Sequence, residues 1–386
     1  MPNSESHYFV PPVGLGYVAA ALKKKCFEVE LIDGVKEGLT VEKLSEKIPK
    51  NTPDVIGISF FSCDFLTIKA YVEAIRKISA NIIIILGGPH ITGVREQIFA
   101  DLNSINFAFI GETETYFPLF LEKLQKGEDF HQIPGLIWKE GEKVHTNPAY
   151  LEEDLDKVGI PAWELMDPRT YPKAPQGAVF RNWPIGTILT SRGCPYNCTY
   201  CAGKLTTGQR IRKRSIANIM EEVELLYNQY GVREIHIIDD TFTTDRELVK
   251  SFCQGIKDRK FEISLTFPKR VRLNNIDEEI LSLLKQPGSY AMSVGSESGN
   301  AKIFQTHFNK TQDFIFSMGA NVGIVHGMKK VSTSNRKSII FLGDSTFFHA
   351  GMPPLVNAVF NDADVTLLVF DNGTTAMTGH QPHPGT

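Results

Sequence analysis

Three of the chain's cysteines crowd into one short run, Cys194-Pro195-Tyr196-Asn197-Cys198-Thr199-Tyr200-Cys201. Thiolate is the favoured ligand of iron–sulfur centres, and three thiolates on one tight loop can converge on a single small cluster. Three ligands leave the fourth iron of a 4Fe–4S cluster open. An open iron can take a small chelating molecule, which a fully ligated electron carrier cannot do. The competing reading is structural zinc, which needs four ligands and usually draws them from paired CxxC units. No fourth Cys or His lies near the loop in sequence. A disulfide framework spreads its cysteines to staple loops and does not cluster them this way. The remaining three, Cys26, Cys63 and Cys253, fall in segments that read as structured and are expected to act as small apolar packers.

The elements around the loop set its position. A strand over 186–190 runs directly into it, and further strands are expected over 234–238, 262–267 and 290–295. Ser215 can cap a helix whose apolar face is Ile216, Ile219, Val223, Leu226 and Tyr230. Helices over 245–258 and 277–286 follow. Four strand-plus-helix steps build part of a βα barrel and are too few to close one. Asp239 and Asp240 end the second strand, and Glu297 ends the last, within Gly295-Ser296-Glu297-Ser298-Gly299-Asn300. Each of these carboxylates either meets a ligand at the rim or caps a loop in water. Arg210, Arg212, Lys213 and Arg214 form a basic run, which faces either an anionic substrate or solvent.

Upstream, a helix is expected over 15–24 and strands over 29–32, 54–60, 82–86 and 107–110, with helices over 68–78 and 114–126 between them. This alternation implies a Rossmann-like, doubly wound parallel sheet, whose ligands bind beyond the carboxyl ends of the strands. The loops 59–64, 87–90 and 111–114 would form that rim. Proline then recurs and periodicity fades across 127–185, which reads as a connector. Beyond about 305 the chain becomes rich in Gly, Ser and Thr, with two strands over 337–342 and 365–370. The expected fold class is therefore α/β throughout. It divides into a Rossmann-like domain over 1–150, a linker over 151–185, a partial barrel over 186–305 and a partial α/β domain over 306–386.

At 42% apolar and 22% charged residues, with a net charge of −3, the chain can bury substantial cores and has no global attraction to nucleic acid or anionic membranes. No apolar run approaches the roughly 18 residues of a membrane span. Residues 1–10 are polar and unlike a signal peptide, so the cytoplasm is the expected compartment.

With its CxxxCxxC loop and the aromatic Tyr200 before the last cysteine, the segment 186–300 resembles the radical S-adenosylmethionine enzymes. The resemblance implies a 4Fe–4S cluster on Cys194, Cys198 and Cys201, with S-adenosylmethionine chelating the open iron near Tyr200, Asp240 and Glu297. It further implies reductive cleavage of S-adenosylmethionine to a 5′-deoxyadenosyl radical, a small-molecule substrate, and an electron donor such as ferredoxin or flavodoxin. Residues 11–150 are similar to the cobalamin-binding domain that precedes the barrel in one class of these enzymes. The matching runs are Pro11-Pro12-Val13-Gly14-Leu15, Gly87-Gly88-Pro89-His90, Gly111-Glu112-Thr113-Glu114 and Ile160-Pro161-Ala162-Trp163. That likeness implies cobalamin and methyl transfer. The Asp-x-His-x-x-Gly motif that ligates cobalt from below is absent, so cobalamin would bind without that histidine. The alternative for this region is a Rossmann-like domain without corrin.

Residues 318–386 resemble the catalytic subunit of indolepyruvate ferredoxin oxidoreductase. The resemblance rests on Met318-Gly319-Ala320, Gly343-Asp344-Ser345-Thr346-Phe347-Phe348-His349 and Thr374-Thr375-Ala376-Met377-Thr378-Gly379-His380-Gln381-Pro382. It implies thiamine diphosphate with Mg²⁺. Asp344 and Asn372 would serve as hard oxygen ligands to the metal, and Gly343, Ser345 and Thr374 would lie beside the diphosphate. Two partial proteins thus look joined near 305–317. The expected function is that of a radical S-adenosylmethionine enzyme with cobalamin-dependent methyl transfer. The alternatives are a thiamine-diphosphate-dependent 2-oxoacid oxidoreductase fragment and a non-functional chimera of the two.

Overall fold

The computed structural model of the chain describes residues 9–51, 53–174, 176, 178, 180–198, 201–272, 275–294, 321–331 and 338–371. The chain divides into two compact units, one spanning His7–Gly295 and the other containing Ser296–Thr386.

Among its described residues, the first unit contains two larger sheets and one two-stranded ribbon. In the first, β1 (Val55–Ser59), β2 (Ile83–Gly87) and β3 (Phe107–Phe109) run parallel in that order. Ile84, Ile85 and Leu86 of β2 are all buried, as expected of a central strand covered on both faces. The helix Phe65–Ile78 packs on it through Ile68, Tyr71, Val72 and Ile75. The sheet is then extended by an antiparallel pair, β4 (Leu136–Glu140) and β5 (Lys143–Thr146), so it is mixed where a wholly parallel sheet was expected. This hairpin lies in the proline-marked stretch that reads as a connector. A tight turn around Gly141 joins it, and antiparallel strands need no helical crossover to signal them in the sequence. The segment expected as a strand over 29–32 carries no ladder, because no described strand stands beside it to exchange hydrogen bonds.

The second sheet follows the expected strand–helix rhythm. Its four parallel strands are β6 (Ile185–Ile188), β9 (Glu234–Ile237), β10 (Ser264–Val271) and β11 (Ser289–Val294), in the order β11-β10-β9-β6. Between β6 and β9, the two-residue strands β7 (Ser191–Arg192) and β8 (Arg212–Lys213) pair antiparallel. Ser215, Asp245 and Asp277 cap the three covering helices by accepting from the backbone N–H of Asn218, Leu248 and Ile280, at 3.1, 2.9 and 3.0 Å. Ile219, Val223 and Leu226 of the helix Ile216–Gln229 pack on Ile235 and Ile237 of β9, as the apolar spacing requires. Val13 and Tyr17 from the first helix, Val13–Lys24, enter the same core. So do Val158, Trp163, Met166 and Tyr171. The stretch 151–185 therefore has irregular backbone but buried side chains.

Cys253 is buried in this core, and burial pushes its thiol up to about 12. Cys26 and Cys63 are exposed, contrary to the expectation that they pack. Both sit at turns, where no element face turns them inward: Cys26 has φ +61° just past the helix Val13–Lys24, and Cys63 lies in the 3₁₀ turn Ser62–Asp64.

In the second unit, β12 (Ser338–Gly343) and β13 (Val365–Phe370) pair parallel. The helices Asn321–Val331 and Met352–Phe360 accompany them around a small core of Val322, Ile340, Leu342 and Ala358. Among the described residues, no helix is long and apolar enough to cross a membrane.

Candidate functional site

The β7–β8 pairing closes the neck of a loop, 193–211, that carries the three cysteines. Gly193 enters it at φ +97°, and a Cβ there would lie 2.1 Å from the Arg210 carbonyl oxygen. Only glycine fits such a position. The Cys194 N–H donates to the Gly208 carbonyl at 3.0 Å, and the Cys201 N–H donates to the Cys198 carbonyl at 3.2 Å. The Gly203 N–H points at Cys201 Sγ from 3.4 Å. Cys194 and Cys198 are half-buried and Cys201 is exposed.

Burial pushes the Cys194 thiol up. The neighbouring charges of Asp240, Cys201 and Cys198 push the same way, against a backbone hydrogen bond at Tyr196. The three thiols thus lie within electrostatic reach of one another, and iron would relieve the repulsion of three adjacent thiolates. Among the described residues, no three His, Cys, Asp or Glu side chains converge on one metal ion. A four-iron cluster is held by one thiolate per iron, so its ligands spread over separate corners. The donor set fits such a cluster.

Other contacts pin the loop to the barrel rim. The Tyr196 hydroxyl bonds Asn275 Oδ1 at 3.0 Å, Asn275 Nδ2 donates to Thr244 Oγ1 at 2.8 Å, and the Arg272 guanidinium lies 3.9 Å over the Tyr196 ring. Asp240 accepts from the Thr207 hydroxyl at 2.7 Å and pairs with Lys269 at 3.0 Å, so it is tied to the cysteine loop and is not freely solvated. Asp239 is buried and accepts from the Thr190 N–H at 2.7 Å and the Ser191 hydroxyl at 2.6 Å, tying the end of β9 to the exit of β6. Tyr200 and Glu297 lie outside the described residues.

On the first sheet, Gly88 has φ +88°, and a Cβ there would come within 2.5 Å of Ser59 Oγ. His90 sits between the rings of Phe60 and Phe65, with Nδ1 2.9 Å from Ser62 Oγ. Its Nε2 is buried with no hydrogen-bond partner, and burial holds the imidazole below its usual range. The helix Pro89–Val94 lies against the short helix Gly203–Thr206, which follows the last cysteine within the loop. The turn Gly87–His90 thus lies on the side of the first sheet that faces the segment carrying the cysteines.

The basic run is split: Arg210 and Lys213 face solvent, as one of the two expected roles has it, while Arg212 and Arg214 do not. Arg212 and Arg214 are buried, with 4% of their surface exposed, and each meets a carboxylate. Arg212 forms a two-pronged pair with Glu112 at 2.6 and 2.7 Å, and Arg214 pairs with Glu222. Arg210 reaches Glu153 and Lys213 reaches Asp245 on the outside. Along a short strand, alternate side chains point to opposite faces, so two arginines turn inward. Arg192 pairs with Glu114 at 2.8 Å. The run Gly111–Glu114, expected as a ligand rim, thus supplies two carboxylates that hold the first sheet to the neck of the cysteine loop. Glu112, Glu114, Arg192 and Glu222 were not legible as partners, because each pair joins residues distant in sequence or on different elements.

In the second unit, Gly343 ends β12, Asp344 is buried, and its carboxylate accepts from the Ser345 N–H at 2.7 Å. Asn372 and Thr374 lie outside the described residues. The structure thus brings together Cys194, Cys198, Cys201 and Asp240, while Gly343, Asp344 and Ser345 belong to the other unit.

Gly193→Ala is expected to cost roughly 1–3 kcal/mol through strained backbone and collision with Arg210. It should also lower iron uptake, as thermal melting and iron analysis after reconstitution would show.

Comparison with known proteins matches this architecture. Residues 3–121 match the B12 binding domain, 188–318 the radical SAM superfamily, and 290–386 the thiamine pyrophosphate enzyme C-terminal TPP binding domain. The last two overlap around the expected join. An uncharacterized methyltransferase of Pyrococcus horikoshii is 32% identical over 296 residues, 76% of this chain and 62% of that protein. The chain thus spans less than two thirds of that relative. Indolepyruvate oxidoreductase subunit IorA of Archaeoglobus fulgidus is 58% identical over 74 residues, 19% of this chain and 12% of that protein. Among solved structures, the radical S-adenosylmethionine methyltransferase TsrM of Kitasatospora setae superposes with a TM-score of 0.64 at 19% identity, covering 94% of this chain and 70% of that one. The chain therefore resembles the radical S-adenosylmethionine superfamily over 188–318, with a match to the B12 binding domain before it and a match to the thiamine pyrophosphate enzyme C-terminal domain after it.

Proposed function

We propose that the chain is a cobalamin-dependent radical S-adenosylmethionine methyltransferase acting on a small molecule. The observation that carries this reading is the CxxxCxxC loop, held at the end of a barrel strand and set beside the rim of the B12-binding domain. When bound, the reduced cluster and S-adenosylmethionine supply one-electron sulfonium cleavage, and cobalamin supplies methyl transfer. The chain's own residues do the placing. Cys194, Cys198 and Cys201 hold the cluster, with Tyr200, Asp240 and Glu297 around S-adenosylmethionine. Ser59, Gly88 and His90 line the corrin side. An electron donor such as ferredoxin or flavodoxin and a cytoplasmic setting, where thiols stay reduced, complete the reading.

The test is anaerobic iron–sulfur reconstitution followed by electron paramagnetic resonance, with and without S-adenosylmethionine. A reduced-cluster signal that shifts on adding S-adenosylmethionine is expected. A protein that takes up no cluster, or one indifferent to S-adenosylmethionine, would overturn the reading. Cobalamin retention through gel filtration, followed by its visible absorption, tests the corrin half separately.

The 58% identity to the IorA segment favours a second reading, in which Gly343, Asp344, Ser345, Asn372 and Thr374 bind thiamine diphosphate with Mg²⁺. It requires Mg²⁺-dependent binding, seen by calorimetry and lost in Asp344→Ala. No binding at millimolar cofactor would remove it.

A further inference from the structure

We infer that Arg212, clamped by Glu112, is a positioning residue that sets the geometry of the cysteine loop from the B12-binding domain. The inference rests on the proposed function. Its basis is the set of groups Arg212 joins. Its guanidinium donates twice to the Glu112 carboxylate, at 2.7 Å from Nη1 and 2.6 Å from Nη2. Nη1 also donates to the Glu152 carbonyl at 2.7 Å, and Nη2 donates to the Thr207 carbonyl at 2.8 Å.

Thr207 is followed by Gly208, whose carbonyl receives the Cys194 N–H at 3.0 Å. One residue therefore separates the arginine's grip from the first cysteine's backbone. The Thr207 hydroxyl donates to Asp240 at 2.7 Å. The exit of the loop is thus held between a carboxylate of the first sheet, acting through Arg212, and a carboxylate at the end of β9. Glu112 is itself fixed, accepting from the Glu152 N–H at 3.0 Å. The side chains of Arg212 and Glu112 are 3% and 8% exposed, so water competes little for either.

The chemistry requires arginine. A planar guanidinium can present paired donors to a carboxylate and still reach two carbonyls, whereas an ammonium offers three donors from a single point. Lysine at 212 would keep the charge and lose the simultaneous grip on Glu112 and Thr207. The loop would then keep its three cysteines but lose the fixed placement of Cys194 against Asp240. That placement governs how S-adenosylmethionine meets the open iron more than whether iron binds.

The experiment uses the full chain, reconstituted anaerobically, and follows the cluster's paramagnetic signal through a titration with S-adenosylmethionine. Arg212→Lys and Glu112→Gln are expected to retain a cluster but to need about tenfold or more S-adenosylmethionine for half-saturation of the shift, or to show no shift, as loss of a supporting group around a metal site does. Glu222→Gln breaks another buried ion pair in the same unit, one that touches neither Thr207 nor the cysteines. It should melt earlier and keep the wild-type titration. Should Arg212→Lys not fold, Glu112→Gln gives the same comparison.

Wild-type half-saturation in the Arg212 and Glu112 variants would overturn the inference. So would a Glu222→Gln protein whose titration weakens in step with its stability. If the wild-type chain itself shows no cluster shift, the proposed function fails, and the inference falls with it for that separate reason.

Discussion

Cys198→Ala should bring reductive cleavage of S-adenosylmethionine to background, while Cys253→Ala leaves it at the wild-type level. The two cysteines differ in surroundings, not in intrinsic chemistry. Cys198 lies half-buried in a loop beside two other thiols, whose repulsion a cluster would relieve. Cys253 is buried against the barrel's apolar core on the helix Arg246–Asp258, where desolvation keeps its thiol protonated and inert. Removing one of three thiolates leaves a second iron without a protein ligand, and such clusters lose iron. Removing the Cys253 sulfur deletes one small apolar group, a cost of about 1 kcal/mol typical of modest core changes. Iron content, the visible absorption of the cluster and 5′-deoxyadenosine release, measured on both variants, separate the two. Full cleavage in Cys198→Ala would show that the loop is not the cluster site.

Arg214→Met should cause the largest loss of stability, roughly 3–5 kcal/mol, because breaking a buried pair strands the partner's charge. Glu222 has no exposed surface and is held by Arg214 and by the Trp163 indole N–H at 2.9 Å. Burial is the dominant influence on its carboxyl and raises it above the usual glutamate range, with Arg214 and Trp163 opposing. Without the arginine that opposition weakens and the raise grows.

The sign of the pH dependence follows. A carboxyl raised in the folded state costs nothing below glutamate's ordinary value of about 4.5, where both folded and unfolded chains are protonated. The cost appears as pH rises above that value and increases until the folded carboxyl would itself ionise. Arg214→Met is therefore expected to fall furthest behind the wild type near neutral pH and to recover part of the difference toward pH 4.5. Denaturant melts at several pH values measure this. A deficit that is constant with pH would mean that the loss is one of packing alone. The same pair anchors Tyr17, whose hydroxyl accepts from Arg214 Nη1 at 3.1 Å, so the first helix should loosen with it.

Much of this fold was legible residue by residue. The four barrel strands, the cap at Ser215 and the strand over 365–370 follow from local periodicity and capping chemistry, which act within a few residues. The antiparallel hairpin β4–β5 did not follow, because its turn signals blend with the surrounding prolines. The strand expected over 29–32 failed for the complementary reason. An apolar run can predict an extended chain but not the neighbour that would turn it into a strand. Cys26 and Cys63 were placed inside by residue type, yet the backbone put both at turns.

The site divides along the same line. The cysteine spacing and the strand that delivers it are contiguous in the chain, so the sequence by itself determined the donor set: three thiols carried on one short loop. The tertiary structure alone decided what holds that loop. Glu112 and Arg212 are a hundred residues apart, Glu114 and Arg192 nearly as far, and nothing local marks either pair. A run of four basic residues reads as a charged surface until two of them are seen buried against carboxylates from another sheet. Ion pairing between distant elements leaves no periodic trace in a sequence, because it depends on which faces meet once the sheets have packed.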